Sequence, residues 1–196
     1  MIRHCKTNGN LYHRYIGRTD ESILKEEIHR VKSYVYPEAE LVFCSPMLRC
    51  RETARILYPL ETPNIIENYR ECDFGDFENK NYKDLTGNVQ YQAFIDSNGN
   101  LPFPGGEDPY EFRKRCCNAF LLMVDDVLQR KMQNIAMVVH GGTIMSILER
   151  FSIEKKPFYE WKVDNAEGFL VGIEEEQWSK GIYNLTIEEV IPRVNE

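Results

Sequence analysis

The sequence predicts an α/β fold built in layers, because strand-like and helix-like segments alternate along the chain. Two unbroken apolar runs, Leu41–Cys44 and Ile135–Val139, are typical of strands that a parallel sheet buries on both faces. A helix-like segment follows each run, as expected where helices cover a sheet. The 196 residues contain no repeat, linker or low-complexity tract, so we expect one domain over residues 1–196.

The first half of the chain is expected to supply a very short strand before residue 4, then a helix and two further strands. After the strand at 41–44, Ser45 is expected to cap a helix with Pro46 in its first turn. Residues 62–69 are predicted to form another strand. Residues 22–36 carry a helical stripe of apolar side chains, namely Ile23, Leu24, Ile28, Val31 and Val35.

The segment 76–107 breaks the alternation of strands and helices. It is rich in Asn, Gly and aromatic residues, and only residues 82–94 carry a weak helical signal. Segments of this kind usually leave the core and carry binding or covering functions. We therefore expect 76–107 to be an excursion that could act as a lid.

The second half of the chain is expected to begin with a long helix. Asp108 and Glu111 have the spacing of a capping box, with Pro109 at the first helical position. A further helix is expected over residues 143–151, and two strands, at 168–174 and 182–190, around a turn at 177–181. The long helix is expected to bury one stripe, which consists of Cys116, Phe120, Met123, Val124 and Val127.

Composition and charge narrow the range of partners. No apolar run approaches the ~20 residues of a membrane span, and the start of the chain has no apolar signal segment, so we expect a cytoplasmic protein without a membrane partner. The net charge of −7 argues against nonspecific binding to nucleic acid, which requires a basic face. The six cysteines form no Cys-x-x-Cys pair, so reduced thiols are expected rather than disulfides or a zinc site.

Two histidines and two arginines occupy settings that suit a phosphate group. His4 follows Arg3 at the end of the first strand, His140 follows the strand at 135–139 and precedes two glycines, and Arg49 lies just beyond the strand at 41–44. Ligands of open α/β sheets bind beyond the carboxyl ends of the strands, where helix N-termini favour anions. Each of these residues alone could be structural, but their combination predicts a phosphate site.

Six short motifs follow one another along residues 3–142. They are Arg3-His4-Cys5-Lys6-Thr7 with Asn10, Gly17-Arg18-Thr19-Asp20, Ser45-Pro46-x-x-Arg49-x-x-x-Thr53-Ala54, Glu71-Cys72-Asp73-Phe74-Gly75, Gly105-Gly106-Glu107 and His140-Gly141-Gly142. Together they resemble the signature of the histidine phosphatase superfamily, the phosphoglycerate mutase-like proteins. One departure is Cys5, which stands where the family has glycine, so that its thiol could crowd the phosphate or react near it.

The resemblance implies a three-layer α/β sandwich whose central sheet is mostly parallel and has helices on both faces. It also implies that His4 is the nucleophile that forms a phosphohistidine, without a metal or other cofactor. Glu71 would protonate the leaving oxygen and later activate water, with Asp73 as the competing carboxylate. The phosphate oxygens would be bound by Arg3, Asn10, Arg49 and His140.

The function expected from these residues is hydrolysis of a small phosphorylated metabolite, such as α-ribazole 5′-phosphate or a sugar phosphate. Two alternatives stay open, a phosphoglycerate mutase-type transfer and a non-catalytic phosphate-binding protein. Because Glu71 must be protonated in the first step, an acidic to neutral optimum is expected. The sequence leaves the oligomeric state open.

Substrate choice is expected to depend on the excursion at 76–107. Its aromatic side chains could line the pocket for the leaving group, or pack a small subsidiary core. Trp161 and Asn165 are further candidates for the border of the pocket. The aromatic candidates in the excursion are Tyr82, Tyr91, Phe94 and Phe103.

Overall fold

The computed structural model describes residues 1–194 of the chain. Its strands are β1 (Ile2–Arg3), β2 (Tyr34–Val35), β3 (Leu41–Cys44), β4 (Asn64–Ile65), β5 (Ile135–Val139), β6 (Gly168–Gly172), β7 (Thr186–Ile191) and β8 (Arg193–Val194). Six of them form one sheet in the order β4-β3-β5-β1-β6-β7, while β2 and β8 form a separate ribbon. The strands β4, β3, β5 and β1 are parallel, and β6 and β7 add an antiparallel edge.

Seven α-helices accompany the strands in residues 1–194, together with three single turns of 3-10 helix at Glu67–Tyr69, Gly75–Phe77 and Phe158–Trp161. The α-helices are α1 (Asn8–Leu11), α2 (Lys25–Lys32), α3 (Leu48–Leu57), α4 (Val89–Asp96), α5 (Pro109–Gln129), α6 (Gly141–Phe151) and α7 (Glu175–Ser179).

The sheet is buried on both faces, because alternate side chains of β3 and β5 enter two different clusters. Phe43 and Met137 pack with residues of α5 and α6 on one face. Val42 and Ala136 pack with residues of α3 on the other. A strand with both faces covered has no polar positions, which is why both strands are continuous apolar runs. The predicted three-layer α/β arrangement is confirmed.

The prediction that Ser45 caps the helix after β3 is wrong. The helix begins at Leu48, and its N-cap residue Met47 makes no side-chain cap bond. The Leu48 N–H donates instead to Asp20 Oδ1 at 2.6 Å. The Ser45 hydroxyl lies 2.7 Å from His140 Nε2, so it is used in another contact.

Two predicted elements are shorter in the structure, and a predicted turn is partly helical. The helix expected at 22–36 is only Lys25–Lys32, because residues 34–35 leave it to pair with β8; Val31 is buried while Val35 is exposed. The strand expected at 62–69 is limited to β4 and is followed by a 3-10 turn. The turn expected at 177–181 includes the end of α7.

The remaining helix predictions hold with small changes. Asp108 caps α5 by accepting the Tyr110 N–H at 2.7 Å, and Pro109 is the first helical residue. Glu111 contacts Lys114 instead of closing a capping box. The predicted stripe of α5 is buried throughout, and α6 begins at Gly141, two residues before its predicted start.

The segment 76–107 folds onto α5 through its own apolar cluster. Phe77, Leu85, Phe94 and Phe103 pack there with Phe112 of α5. The subsidiary core expected for the excursion is therefore present, and α4 supplies part of it. The action of this segment as a lid stays a prediction.

Within residues 1–194, no helix has the length and apolar character needed to cross a bilayer.

Candidate active site

The site lies where three parallel strands end next to one another. The register places Arg3 of β1 beside Val139 of β5, and Cys44 of β3 beside Val138. His4 and His140 directly follow two of these ends, so their ring centroids are only 5.2 Å apart. The carboxyl edge of the sheet therefore brings together residues 136 positions apart, as the motifs predicted.

His4 is held in one tautomer by the backbone. Its Nδ1 lies 2.7 Å from the carbonyl oxygen of Cys5, and a carbonyl can only accept, so the neutral ring carries its proton on Nδ1. Burial lowers the pKa of His4 well below its usual value, and the charges of Arg49 and Arg3 lower it further. The Nε2 atom is therefore unprotonated at neutral pH.

His140 forms the N-cap position of α6 and is fully buried. Its Nε2 lies 2.7 Å from the Ser45 hydroxyl, and its Nδ1 lies 3.9 Å from Glu71 Oε2, too far for a hydrogen bond. Burial is the largest cause that lowers the pKa of His140 well below its usual value, followed by the charge of Arg49. Both rings are thus neutral.

Two guanidiniums flank the rings, and each keeps a donor unused. Arg3 donates from Nη1 to the Val163 carbonyl at 2.8 Å. Arg49 donates from Nη1 and Nη2 to backbone carbonyls of the segment 16–19, at 2.8 to 3.2 Å. The Nε atoms of both arginines are buried without a hydrogen-bond partner. A buried donor of this kind costs roughly 1–3 kcal/mol, which an anion between the two arginines would offset.

Glu71 is the carboxylate nearest to this cluster. Its side chain is 13% exposed, and its Oε1 accepts the Cys72 N–H at 3.0 Å. Burial raises the pKa of Glu71, against the lowering effects of that N–H and of the Arg49 and Arg3 charges. A raised pKa favours the protonated form that a general acid requires.

The backbone around Glu71 is fixed by an ion pair between Arg115 and Glu107. Arg115 Nε lies 2.6 Å from Glu107 Oε1, and Arg115 Nη2 donates to the Glu71 carbonyl at 3.1 Å. The same guanidinium also donates to the carbonyls of Asn68 and Arg70, at 2.7 and 2.8 Å. The Gly-Gly-Glu motif therefore contributes through Glu107, which holds Arg115 in place.

Asn10 and Asn165 meet beside His4. The Oδ1 of Asn10 accepts from Thr7 and from Asn165 Nδ2, at 3.0 to 3.2 Å. Asn165 Nδ2 also lies 3.0 Å from the His4 carbonyl oxygen. Asn165 thus contacts the His4 backbone and Asn10, but it is not among the residues that line the adjacent cavity, so its place at the border of the pocket stays a prediction. The Asn10 oxygen is occupied by its contacts with Thr7 and Asn165, so that only its amide nitrogen remains for phosphate.

Two other candidates, Asp73 and Trp161, make their contacts outside this cluster. Asp73 accepts the Gly75 N–H at 2.9 Å and faces Arg18 at 3.6 Å. Trp161 is a core residue, 1% exposed, whose ring packs near Phe169. The expectation that Trp161 borders the pocket is therefore wrong, and Asp73 has a structural use in its own turn.

The thiol of Cys5 does not enter the phosphate site. It is fully buried in a small cluster with Val31 and Ala166, and burial raises its pKa to about 11. The Cys5 N–H donates to the Thr53 hydroxyl at 2.9 Å, which fixes the backbone after His4. The predicted crowding of the phosphate by this side chain is wrong.

A cavity of about 330 Å³ opens beside the cluster, and Arg3, Glu71, Gly141 and Gly142 are part of its lining. His4, Arg49 and His140 are 3%, 1% and 0% exposed and are not among its lining residues. Phe94 and Phe103 line it, as predicted, whereas Tyr82 is exposed on the surface and Tyr91 packs against the apolar cluster of the excursion, outside the lining. Its aromatic lining consists of Tyr15, Phe74, Phe94, Phe103, Phe112, Phe158 and Tyr159.

The sequence of this chain matches a known protein family over nearly its whole length. Residues 1–186 match the family model of the histidine phosphatase superfamily (branch 1). The chain belongs to this superfamily. The family predicted from the six motifs is thereby confirmed.

Individual members of the histidine phosphatase superfamily resemble this chain at low identity. The adenosylcobalamin/alpha-ribazole phosphatase of Salmonella typhimurium is 27% identical over 158 residues, which are 76% of this chain and 77% of that protein. The crystal structure of the alpha-ribazole phosphatase from Shigella flexneri has a TM-score of 0.79 at 22% identity, covering 95% of this chain and 92% of that one. A mutant phosphoserine phosphatase from Entamoeba histolytica, solved with phosphoserine, has a TM-score of 0.73 at 20% identity, covering 96% and 93%. The two structures show the shared fold.

Several residues that support the cluster carry no signal that sequence reasoning used. Glu78 Oε1 accepts the N–H groups of Gly17 and Thr19, both at 2.9 Å, and so fixes the segment whose carbonyls hold Arg49. On the other side, Arg30 donates to the Asn165 carbonyl at 2.8 Å and pairs with Glu27, which accepts the Lys6 N–H. Within the described part of the chain, no group of three or more His, Cys, Asp or Glu side chains could hold a metal ion.

Proposed function

We propose that this histidine phosphatase hydrolyses a small phosphomonoester without a metal, and that His4 carries the phosphoryl group between the substrate and water. The observation that supports this most directly is the pair of buried, unpartnered Nε–H groups of Arg3 and Arg49 next to two neutral histidines. A phosphate group supplies the acceptors that these donors lack. The neutral His4 Nε2 is the nucleophile that such a phosphate requires.

In the first step, His4 Nε2 forms a bond to phosphorus, and the bond from phosphorus to the leaving oxygen breaks. Protonated Glu71 gives its proton to that oxygen, so the leaving group departs as an alcohol. The Nδ1–H of His4 keeps its bond to the Cys5 carbonyl, which stabilises the charge that the ring gains.

In the second step, water attacks the phosphohistidine. Glu71, now ionised, takes one proton from the water, and the phosphorus–nitrogen bond breaks to return neutral His4 and release phosphate. Arg3, Arg49 and His140 hold the phosphoryl oxygens in both steps, and the amide nitrogen of Asn10 adds a neutral donor.

The substrate is a small phosphorylated metabolite. The names of the relatives make α-ribazole 5′-phosphate and phosphoserine the first compounds to compare. Sugar phosphates and 3-phosphoglycerate complete the panel, because isomerisation of 3-phosphoglycerate without release of phosphate would indicate a mutase instead.

The test is release of phosphate from p-nitrophenyl phosphate in EDTA between pH 5 and 8. The wild type is expected to turn over, and His4→Asn is expected to lose at least about 10³-fold in kcat. His29→Asn is the matched control, because His29 is an exposed histidine on α2 and none of the site contacts described above involves it. Absence of turnover by the wild type on the whole panel, with phosphate still raising its Tm, would indicate a phosphate-binding protein.

A further inference from the structure

The charges around the cavity differ from those of the rest of the protein. The chain has a net charge of −7, yet the cavity is lined by the cations Arg3, Arg113 and Lys162. Among the described residues, Glu71 is the only carboxylate in the lining. When Glu71 is protonated, as in the proposed first step, the lining itself carries cations and no carboxylate, while Glu149 outside the lining pairs with Arg113.

Neighbouring side chains hold Arg113 in place. It lies on α5, its guanidinium carbon sits 4.0 Å from the centroid of the Phe158 ring, and its Nη1 lies 3.5 Å from Glu149 Oε2. Glu149 also accepts the Phe158 N–H at 3.1 Å, so ring, guanidinium and carboxylate form one unit. The side chain is 24% exposed, in contrast to the exposed Lys162.

The contact with Glu149 does not occupy all the N–H donors of the Arg113 guanidinium group. The Nε of Arg113 is buried and has no hydrogen-bond partner. The Nε atoms of Arg3 and Arg49 are also buried without a partner, and that observation supported a bound phosphate. A planar guanidinium that is stacked on an aromatic ring is pre-organised to bind a carboxylate or another planar acid group.

The walls between Arg113 and the phosphate site suit a flat apolar body. Phe94, Phe103 and Phe112 are at least 93% buried, so their rings are fixed by the cluster beneath them. Phe74 meets Phe103 edge to face at a centroid distance of 5.0 Å, which leaves ring faces and edges as the lining. A volume of about 330 Å³ is at the small end of ligand pockets, which suits one ring with one substituent.

We propose that the substrate of this site is a phosphomonoester whose leaving group is an aromatic or similarly flat apolar body bearing an acid group, and that Arg113 binds that acid group. This proposal rests on the phosphatase function proposed above. It makes Arg113 a specificity-determining residue, whereas the phosphate itself is bound at Arg3 and Arg49.

The experiment compares 4-(carboxymethyl)phenyl phosphate with its amide, 4-(carbamoylmethyl)phenyl phosphate. The two esters have nearly the same size and the same kind of phenolic leaving group, and they differ in one charge. Wild type is expected to prefer the acid about ten- to a hundredfold in kcat/KM, the range for hydrogen bonds to a charged group. In Arg113→Met the ratio of acid to amide falls to near one, and in Arg113→Lys it is intermediate.

Arg150→Met is the control, because it removes the same charge from α6 at an exposed position outside the cavity lining. It is expected to keep the preference of the wild type. Equal kcat/KM values for acid and amide in the wild type, or a preference that survives in Arg113→Met, would overturn the proposal.

Binding of the two matching phosphonates, which cannot be hydrolysed, separates this proposal from the phosphatase function. Tighter binding of the acid phosphonate, lost in Arg113→Met, supports the subsite even if no ester is hydrolysed. Equal binding of the two phosphonates by the wild type contradicts it. Failure of catalysis and failure of the subsite are therefore distinct results.

Discussion

At the scale of single residues, burial decides which groups carry protons. His4 and His140 sit among guanidiniums inside the protein, and their pKa values fall because a further charge there would be neither solvated nor paired. The pKa of Glu71 is raised instead, because burial disfavours the carboxylate anion. Burial thus favours a neutral base beside a protonated acid, which is what transfer of a phosphoryl group to nitrogen requires.

Changing Glu71→Gln should affect poor leaving groups most. We expect kcat for an alkyl phosphate to fall about 10²–10⁴-fold, with a smaller loss for p-nitrophenyl phosphate, whose leaving group needs no proton. In the wild type, kcat with the alkyl ester should fall as pH rises through the raised pKa of Glu71, and this limb should be absent from the pH profile of the variant. Asp73→Asn is the control, and a larger loss in Asp73→Asn than in Glu71→Gln would reassign the acid.

Cys5 should be chemically silent, because its thiol is buried and its pKa is raised to about 11. Cys5→Ala is expected to keep kcat within a factor of about two and to lower the free energy of unfolding by about 1 kcal/mol. Iodoacetamide should leave the folded wild type active and Cys5 unmodified by mass spectrometry. Rapid alkylation of Cys5 with loss of activity would show that the thiol reaches the site.

At the scale of elements, close contact between α6 and Glu71 depends on one glycine. A Cβ at Gly142 would lie 2.9 Å from Glu71 Oε1 and 2.9 Å from Phe112 Cζ. Because the Phe112 ring belongs to a buried cluster, it cannot move away easily, and the carboxyl group would be displaced.

Gly142→Ala should therefore disturb acid catalysis more than binding of the phosphate. We expect kcat for an alkyl phosphate to fall at least about tenfold, while inhibition by inorganic phosphate changes less than threefold. Steady-state kinetics would give kcat for the alkyl phosphate and the inhibition constant of inorganic phosphate. If kcat and phosphate binding weakened by the same factor, the substitution would have damaged the whole N-terminus of α6.

The elements that carry His4, Arg49 and His140 could be predicted from the sequence, because parallel strands end at one edge of a sheet and each of these residues follows such an end. The residues that hold these side chains in place could not be predicted from the sequence. Arg115 and Glu78 bind backbone atoms of distant segments, and a hydrogen bond to a carbonyl or an N–H leaves no pattern in the partner sequence. The end of α2 was missed for a similar reason, since pairing with β8 removes residues 34–35 from the helix.

At the scale of the whole molecule, the two buried histidines lower stability in acid. Below about pH 6.5 an unfolded chain takes up protons on histidines that the fold keeps neutral at His4 and His140. At these two histidines the unfolded state then binds more protons, so their contribution to the free energy of unfolding falls as pH decreases from about 6.5 towards the lowered pKa values of the folded protein. Glu71, whose pKa is raised, contributes in the opposite direction, so the histidine contribution is measured by comparing urea unfolding of the wild type and a histidine variant between pH 7.5 and 5.5.

His4→Gln removes one of the two titrating rings, so its unfolding free energy should fall less over the same interval. His29→Gln, at an exposed position on α2, is the matched histidine-to-glutamine control. Identical slopes for His4→Gln and the wild type would mean that His4 is protonated in the folded protein.

In the proposed mechanism His4 carries the phosphoryl group, so the decisive observation is the position of that group in a trapped intermediate. The protein is mixed with excess p-nitrophenyl phosphate, quenched with alkali within milliseconds, digested and analysed by mass spectrometry. We predict one phosphoryl group on the peptide that contains His4, and none in His4→Asn. A phosphoryl group on His140, or turnover in the wild type without any phosphorylated peptide, would rule out His4 as the carrier.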